Sequence, residues 1–342
     1  MSQEERLLIL QMVADGKITA SEAAELLRAL EGRPEGEPDR GSAPQPQPER
    51  RRSPSATLGS GLSGLIEEVM ERVTGVLTDF KGQRYEFPSE ITGVFTADRV
   101  PIRLATGNGH VELRGWDEPG YKAQILVKVR GASEADARRR AEEAYRVTAT
   151  ETEFALETER QIDGLDLAVH VTLFLPRDHA YHLEARTGNG HIRLEGITLT
   201  EGTAKTGNGR ITILNVTADR LYLKSGNGSV DVEGDVADLE VSAGNGSLRV
   251  VPLGRRSERI QLKTGNGSAE IDTGRLSRTV GLFIDAHTGM GGLSVNRSDL
   301  VYELDERKLG YKHVIAHTEG YDRAEQKVDI RVRTGMGSIS VE

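Results

Sequence analysis

The chain contains no cysteine, few aromatic residues and no long apolar run. The absence of cysteine among 342 residues excludes disulfide bonds and thiolate metal sites. Aromatic residues make up only 4 %, and the net charge of −9 gives no overall attraction to nucleic acid or to anionic lipid. No apolar run approaches the ~18–20 residues that span a bilayer, and the N-terminus lacks a basic segment followed by a small-residue cleavage site. These absences predict a soluble, cytoplasmic protein without a nucleic-acid partner.

A repeated glycine triplet is the main feature that the chain does have. The triplet is Gly-Asn-Gly six times and Gly-Met-Gly twice. Successive first glycines lie 81, 19, 19, 18, 21, 24 and 46 residues apart. The central copies therefore repeat about every 19 residues, with insertions towards both ends. The first glycines are Gly107, Gly188, Gly207, Gly226, Gly244, Gly265, Gly289 and Gly335.

Runs of alternating polarity, such as "LYLKS" and "SVDVE", precede and follow the triplets. A period of two is typical of β-strands, and a self-similar period near 20 residues is typical of a solenoid. Residues that tolerate positive φ follow the second strand of several copies, at Gly115, Gly196, Asn215 and Gly234. At least two corners per coil favour a parallel, single-stranded β-helix of about 19 residues per coil over an array of hairpins.

The triplet itself admits two interpretations, a phosphate-binding loop or a structural corner. Each copy leads into another strand and not into a helix, so the spacing favours corners, and we expect the first glycines to take positive φ. Because asparagine and methionine share the middle position, we expect that side chain to point into the coil, where the asparagines form an inward hydrogen-bonded ladder. This ladder comprises Asn108, Asn189, Asn208, Asn227, Asn245 and Asn266. The preceding Thr and Ser residues are expected to form a second ladder.

The repeated "TGNG" units, the Gly115-Trp116 pair and the strand–helix–strand insertion that follows it resemble a bacterial β-strand-repeat family called "putative adhesins". The resemblance covers residues 84–342. It implies that the β-helix is right-handed and implies almost nothing about chemistry, because the function of that family is unknown.

Residues 1–33 form a separate predicted unit, a small α-helical hairpin. Capping boxes at Ser2/Glu5 and Thr19/Glu22 open two helices that are too small to be stable alone. The segment therefore requires a protein partner or a second copy. It resembles the SHOCT-like helical hairpin, and the pairing with a β-repeat domain implies a link to cell-envelope stress. A calcium loop is disfavoured, because Val13 would occupy a ligand position without offering an oxygen.

Three further segments complete the predicted organisation. Residues 34–56 are a proline-rich flexible linker, and residues 57–82 are an amphipathic helix that caps the solenoid or mediates oligomerisation. The acidic polar face of this helix disfavours membrane contact without removing it. Residues 83–342 are the β-solenoid, with insertions at 117–180 and 296–328.

One row of charges is the candidate site. The residue before the Thr, Ser or Ala of each repeat is basic in five copies, at Arg186, Lys205, Lys224, Lys263 and Arg333. Stacked coils place these residues in a column at ~4.8 Å per coil, so the column requires counter-charges or an anionic ligand. The two alternatives are a solvated, partly paired ladder and a groove for an anionic polymer or a phosphorylated partner.

The sequence predicts no catalytic, metal or cofactor residues. The eight histidines are spread along the chain, and Asp231 and Glu270 have no obvious carboxylate partner. We therefore expect a non-enzymatic, homo-oligomeric scaffold or interaction protein in the envelope-stress response. An adhesin-like module for an anionic polymer and a self-assembling cytoskeletal filament are the alternatives.

Overall fold

The computed structural model describes residues 83–158, 166–254 and 256–342, and in them the triplet-bearing coils are built from pairs of strands. The strand before a triplet ends at its middle residue, and the next strand begins three residues later. These strands are β2 (Arg99–Asn108), β3 (Val111–Trp116), β8 (Ala180–Asn189), β9 (Ile192–Glu195), β10 (Thr198–Asn208), β11 (Ile211–Asn227), β12 (Val230–Asn245), β13 (Leu248–Pro252), β14 (Arg259–Asn266), β15 (Ala269–Ile271), β16 (Gly281–Met290), β17 (Leu293–Val295), β20 (Lys327–Met336) and β21 (Ile339–Val341).

The remaining elements lie in the two insertions and at the start of the described chain. They are β1 (Gln83–Gly93), β4 (Tyr121–Gly131), helix α1 (Glu134–Glu142), β5 (Tyr145–Ala149), β6 (Phe154–Thr158), β7 (Leu167–Pro176), β18 (Leu300–Lys308), β19 (Tyr311–Thr318) and a 3-10 turn (Tyr321–Arg323). The predicted hairpin 1–33, linker 34–56 and helix 57–82 lie outside the described residues.

Equivalent residues of successive coils pair in parallel register. Asn208 lies beside Asn189 on one side and Asn227 on the other, and the series continues through Asn245 to Asn266. These partners are 19, 19, 18 and 21 residues apart in the sequence. The fold is therefore mainly β, with one long sheet of many strands in a β-solenoid arrangement. The right-handed winding stays a prediction.

The core consists of apolar columns that run from coil to coil. Alternate residues of each strand are buried, as the period-two pattern predicted. One column comprises Leu104, Ala185, Ala204, Leu223, Val241, Leu262, Val332 and Ala286, each 2 % exposed or less. Because each coil covers the apolar edge of the next, the stack stabilises coils that could not bury a core alone.

The order of the coils in space differs from their order in the chain. β20 lies between β14 and β16, with Ile330 beside Ile260 on one side and Ile284 on the other. β21 likewise lies between β15 and β17. The last coil of the sequence is therefore not the last coil of the stack in space. The coil of Gly289 is outermost, and the coil of Gly335 is interior.

A hairpin from the second insertion covers that outermost coil. β18 and β19 form an antiparallel pair, and β19 pairs antiparallel with β16. Side chains of the hairpin also reach the carbonyls of β17: Arg307 Nη1 donates to Leu293 O at 3.1 Å, and the Tyr302 hydroxyl donates to Val295 O at 3.3 Å. Backbone acceptors that another coil would satisfy are thus partly satisfied by the insertion.

The first insertion covers the opposite end of the stack. β6 and β7 run parallel to β2 and β3, and so form a further layer beyond the first triplet. β4 then pairs antiparallel with β7, and β1 pairs antiparallel with β4. Helix α1 is capped by Ser133, whose hydroxyl accepts a hydrogen bond from Asp136 N at 3.2 Å. It ends at Glu142, and Tyr145 already belongs to β5.

The two glycines of a triplet have different structural roles. The second has positive φ, +144° at Gly228 for example, whereas the first does not. The prediction that the first glycines take positive φ is therefore wrong. The first glycine is needed for close approach between coils, because a Cβ at Gly207 would lie 2.6 Å from Gly188 O. The second predicted corner has positive φ at Gly196 and Asn215. At Gly115 and Gly234 that prediction is wrong, and both glycines instead allow close approach, since a Cβ would lie 1.9 Å from Gly196 O and 2.7 Å from Val216 O.

Candidate anion-binding face

The basic residues singled out from the sequence lie in one column. Lys205 pairs in register with Arg186 and Lys224, and Lys263 pairs with Arg333. Ser242 separates Lys224 from Lys263, and Ala105 and His287 occupy the same position in the first and the outermost triplet-bearing coils. The side chains face outward because each neighbours a buried Thr, Ser or Ala along its strand. We call this row the basic column.

Only part of the basic column is neutralised. Arg186 lies 3.4 Å from Glu184, and Arg333 lies 4.0 Å from Asp285. The Lys205 ammonium lies 5.0 Å from the centre of the Tyr222 ring. The exposed side chains of Lys224 and Lys263 form no ion pair within 4.0 Å with any residue that the structure describes.

A shallow depression of about 280 Å³ lies beside the unpaired Lys263. Arg331 and Arg333 line it together with Glu240 and Gln261. The Arg331 guanidinium holds both carboxylate oxygens of Asp329, at 3.1 and 2.8 Å, which raises its pKa. Arg331 is therefore occupied, whereas Lys263 and Arg333, which lies 4.0 Å from Asp285, remain available to an anion.

The asparagine ladder exists, but its predicted inward orientation is wrong. Each amide nitrogen donates to the preceding Asn Oδ1 at 2.7–2.8 Å, from Asn189 through Asn266. Asn189 and the four later asparagines are exposed, Asn108 is partly exposed, and Met290 and Met336 are 59 % and 49 % exposed. The ladder therefore lies on the surface, where the positive φ of the following glycine turns the chain.

The buried ladder is the neighbouring row of hydroxyls. Thr206 Oγ1 donates to Gly190 O at 3.0 Å, and Ser225 Oγ donates to Gly209 O at 2.9 Å. Thr187, Thr264, Thr288 and Thr334 donate to glycine carbonyls in the same way. Each such bond satisfies a corner carbonyl and contributes about 1 kcal/mol. The second predicted ladder is thus present and points into the coil.

Acidic residues on the second strands are held by arginines. Asp231 and Glu270 are two coils apart, with Arg249 between them in register. Arg210 lies 3.7 Å from Asp231, and Arg249 lies 3.3 Å from Glu270. Within residues 83–158, 166–254 and 256–342, no group of three or more His, Cys, Asp or Glu side chains has a geometry that could hold a metal ion.

Three histidines come together, although the sequence places only two of them, His110 and His191, at a shared repeat position. His110 and His191 share a repeat position and stack with ring centres 3.6 Å apart. His170 packs beside them, with its ring centre 4.7 Å from that of His110. The repeat spacing is the sequence feature that predicts the pairing of His110 with His191. His170 belongs to the insertion, whose layer over β3 has no triplet in the described residues to reveal its register.

No helix in the described part of the chain is both long and apolar enough to cross a membrane. The predicted helix 57–82 lies outside that part.

Two protein families match separate parts of the chain. Residues 4–35 match the SHOCT-like domain, and residues 165–305 match the family described as Toastrack DUF4097. The uncharacterized protein YvlB of Bacillus subtilis (strain 168) is 25 % identical over 213 residues, which cover 59 % of this chain and 57 % of YvlB. The chain therefore matches little more than half the length of that relative.

Solved structures described as adhesion proteins share little sequence with this chain. A "putative cell adhesion protein" from Clostridium sporogenes is 13 % identical, with a TM-score of 0.32 over 75 % of this chain and 99 % of that one. A "putative adhesin" from Bacteroides fragilis is 11 % identical, with a TM-score of 0.36 over 76 % and 97 %. The two family matches confirm the predicted resemblance: one segment of the chain is similar to the SHOCT-like domain and another is similar to the Toastrack DUF4097 family.

Proposed function

We propose that the protein is a non-enzymatic scaffold whose solenoid presents the basic column to an anionic partner. The observation that supports this is the pair of exposed lysines, Lys224 and Lys263, that face outward without an ion pair to any described residue. Adjacent coils bring like charges within ~5 Å of one another, which destabilises the stack unless a counter-charge is present. An extended anionic polymer supplies such charges at several coils at once.

Retention on a sulfated polysaccharide column at low salt tests this proposal. We expect the wild type to be retained and to elute as salt screens the charges. The fourfold change of Arg186, Lys205, Lys224 and Lys263 to Gln should abolish retention. A wild type that flows through at low salt would show that the column is only a solvated ladder.

A double variant separates the column from overall charge. K224Q/K263Q removes two unpaired cations, and R249Q/K308Q removes two cations that pair with Glu270 and Glu306 at 3.3 Å. Net charge changes equally in both. We expect only K224Q/K263Q to elute at lower salt, and equal shifts would contradict a site at the column.

We further propose that this scaffold acts in the cell-envelope stress response. The support is the combination of a SHOCT-like segment with a β-repeat segment in one chain. The SHOCT-like residues would bind a protein partner or a second copy, and the solenoid would hold the anionic ligand. Fractionation and crosslinking of cells with and without a cell-wall antibiotic test this role. Identical distributions and identical crosslinks in both conditions would contradict it.

Self-association through residues 1–33 belongs to the same proposal. Light scattering over a dilution series should give a mass above that of the 37.3 kDa chain. Deletion of residues 1–33 should return the mass to that of a monomer. A full-length chain that stays monomeric at high concentration would remove self-association.

A filament of end-to-end solenoids is less well supported. β19 covers β16 at one end of the stack, and β4 covers β7 at the other, both in antiparallel pairs. A further parallel coil would have to displace these strands. We therefore propose the scaffold and not the filament.

A further inference from the structure

A second polar groove lies at the opposite end of the solenoid from Lys263 and is distinct from the basic column. Its volume is about 840 Å³, within the usual range for sites that bind small molecules. The second strands of the first coils and the covering strands β4 and β7 form its walls. The lining includes the three histidines, Lys128, Arg193 and Arg210, Glu112, and the hydroxyls of Thr172 and Thr212.

Backbone contacts fix the protonation of two of the three imidazoles. His110 N donates to His170 Nδ1 at 3.3 Å, and His191 N donates to His110 Nδ1 at 3.3 Å. An imidazole nitrogen that accepts a hydrogen bond carries no proton. Both rings are therefore neutral in this arrangement, with the proton on Nε2.

The cations around the groove are already paired with carboxylates. Lys128 lies 2.8 Å from Glu86, Arg193 lies 3.4 Å from Glu112 and 3.0 Å from Glu195, and Arg210 lies 3.7 Å from Asp231. On its other side, His170 shares a smaller depression with Arg84, Arg130 and Asp166. Every cation that lines the groove thus has a carboxylate near it. The net charge of the groove therefore changes with pH through protonation of the histidines.

Burial of the imidazole rings opposes their protonation in the absence of a bound anion. Desolvation lowers the pKa of His170 to about 4, and desolvation together with the neighbouring His191 lowers the pKa of His110. An anion placed beside these rings has the opposite effect, because it stabilises the charged imidazolium. Protonation also converts each Nδ1 from an acceptor into a donor, at the expense of one long backbone contact.

We propose that this groove binds a sugar-sized ligand carrying phosphate or sulfate esters, and that the pair His110 and His170 takes up one proton from solvent as it binds. Tetrahedral oxyanions accept hydrogen bonds from several directions, which suits imidazole, guanidinium and hydroxyl donors gathered around one space. The stacked rings and the threonine hydroxyls provide a polar wall for the sugar.

Titration calorimetry with fully sulfated sucrose tests the proposal on the full chain. This probe keeps its charge between pH 6.0 and 7.5, so any proton taken up enters the protein. We expect binding about tenfold tighter at pH 6.0, because uptake of one proton changes affinity by up to tenfold per pH unit. Two buffers of different ionisation enthalpy should report about one proton bound. Equal affinity at both values, or no proton uptake, would overturn the proposal.

Variants locate the effect. H110Q/H170Q should lose the proton uptake and the tighter binding at pH 6.0, whereas H182Q/H317Q, with two histidines outside the groove, should keep both. Circular dichroism at each pH checks that the variants are folded. If H110Q/H170Q keeps its proton uptake, or if both pairs lose it, the groove is not the site.

Two controls separate this proposal from others. K224Q/K263Q should keep the pH-dependent binding, so failure of the basic column and failure of the groove are distinguishable. Vesicles of phosphatidylcholine containing phosphatidylinositol phosphate form the last arm. If the protein floats with these vesicles and the sulfated sugar displaces it from them, the natural ligand is a lipid headgroup. If the protein binds the soluble probe but not the vesicles, the natural ligand is a free sugar ester. Unsulfated sucrose should not bind, and affinity for it equal to that of the sulfated probe would contradict an anion site.

Discussion

Within the triplet, each position has a different structural role at the corner of the coil. The first glycine lets two backbones approach, the middle side chain bonds to its neighbour in solvent, and the last glycine supplies the positive φ that redirects the chain. Gly228 shows the last role most clearly: its φ is +144°, and a Cβ would lie 2.1 Å from Gly209 O. Only the last position combines a conformational demand with a steric one.

Replacing Gly228 with Ala should therefore strongly destabilise the folded protein. We expect a loss of about 3 kcal/mol or more in the free energy of unfolding, from backbone strain and the clash together. Gly310 offers a matched control, since its φ is +79° and a Cβ added there would have no described atom within 4 Å. G310A should cost only about 1–2 kcal/mol. Chemical denaturation measures both, and equal costs would contradict the close approach at Gly228.

The surface position of the asparagine ladder changes what a substitution in it should do. Asn227 donates to Asn208 at 2.8 Å and accepts from Asn245 at 2.8 Å. Asn227→Met loses both bonds, whereas Asn227→Asp keeps the acceptor and has its charge in water. We expect about 1–2 kcal/mol for Met and no more than that for Asp. A much larger loss of stability for Asn227→Asp, measured by thermal unfolding, would indicate that this side chain is buried.

The pKa of His170 predicts how stability depends on pH. The unfolded chain binds this proton near pH ~6.5, and the folded chain binds it only near its lowered pKa of about 4. Between these values the unfolded state holds more protons, so stability is full above pH ~6.5 and falls as the pH drops towards 4. His170→Gln should flatten the curve of unfolding free energy against pH in this range. An unchanged slope would show that other groups cause the acid sensitivity.

At the scale of elements, the strands can be predicted because their alternation is strict and their corners are marked. The same patterns predict β4 and β7 as strands of the first insertion and Ser133 as the cap of α1, and the structure contains all three. The end of α1 is less sharply marked, since Glu143 and Ala144 continue the helical composition but lie outside the helix, and Tyr145–Ala149 pair with β6 as β5. The β-branched and aromatic residues of β5 favour a strand, and its pairing with β6 fixes the boundary.

The candidate sites are predictable to different degrees. The basic column follows from the repeat, because residues at one repeat position must line up once coils stack in register. The histidine groove does not, because His170 reaches His110 through pairing of β7 with β3, two strands that share no repeat position. The outward orientation of Asn227 and its equivalents also escapes prediction, because a position that accepts methionine suggests burial although Met290 and Met336 are themselves exposed.

At the scale of the whole molecule, the coil order is the feature that repeat spacing cannot reveal. Any two triplets can pair in the same register, so the repeat does not show which coils are neighbours. Stacking in chain order is then the simplest prediction. The middle residues hold the missing information. Met336 lies beside both Asn266 and Met290, so the two methionine coils are neighbours and the asparagine series ends where they begin.

Cysteine pairs can test this order directly, because the chain has no cysteine of its own. Gln261 and Asp285 each pair in register with Arg331, from opposite sides of β20. Neighbouring strands lie ~4.8 Å apart, so Q261C/R331C should form a disulfide under mild oxidation. Q261C/D285C spans two strand spacings, ~10 Å, which exceeds the ~7 Å limit for a disulfide without backbone movement. Stacking in chain order would reverse the result, because β16 would then lie directly against β14. Peptide mapping after oxidation distinguishes the two outcomes, and a crosslink in Q261C/D285C without one in Q261C/R331C would overturn the interior position of the last coil.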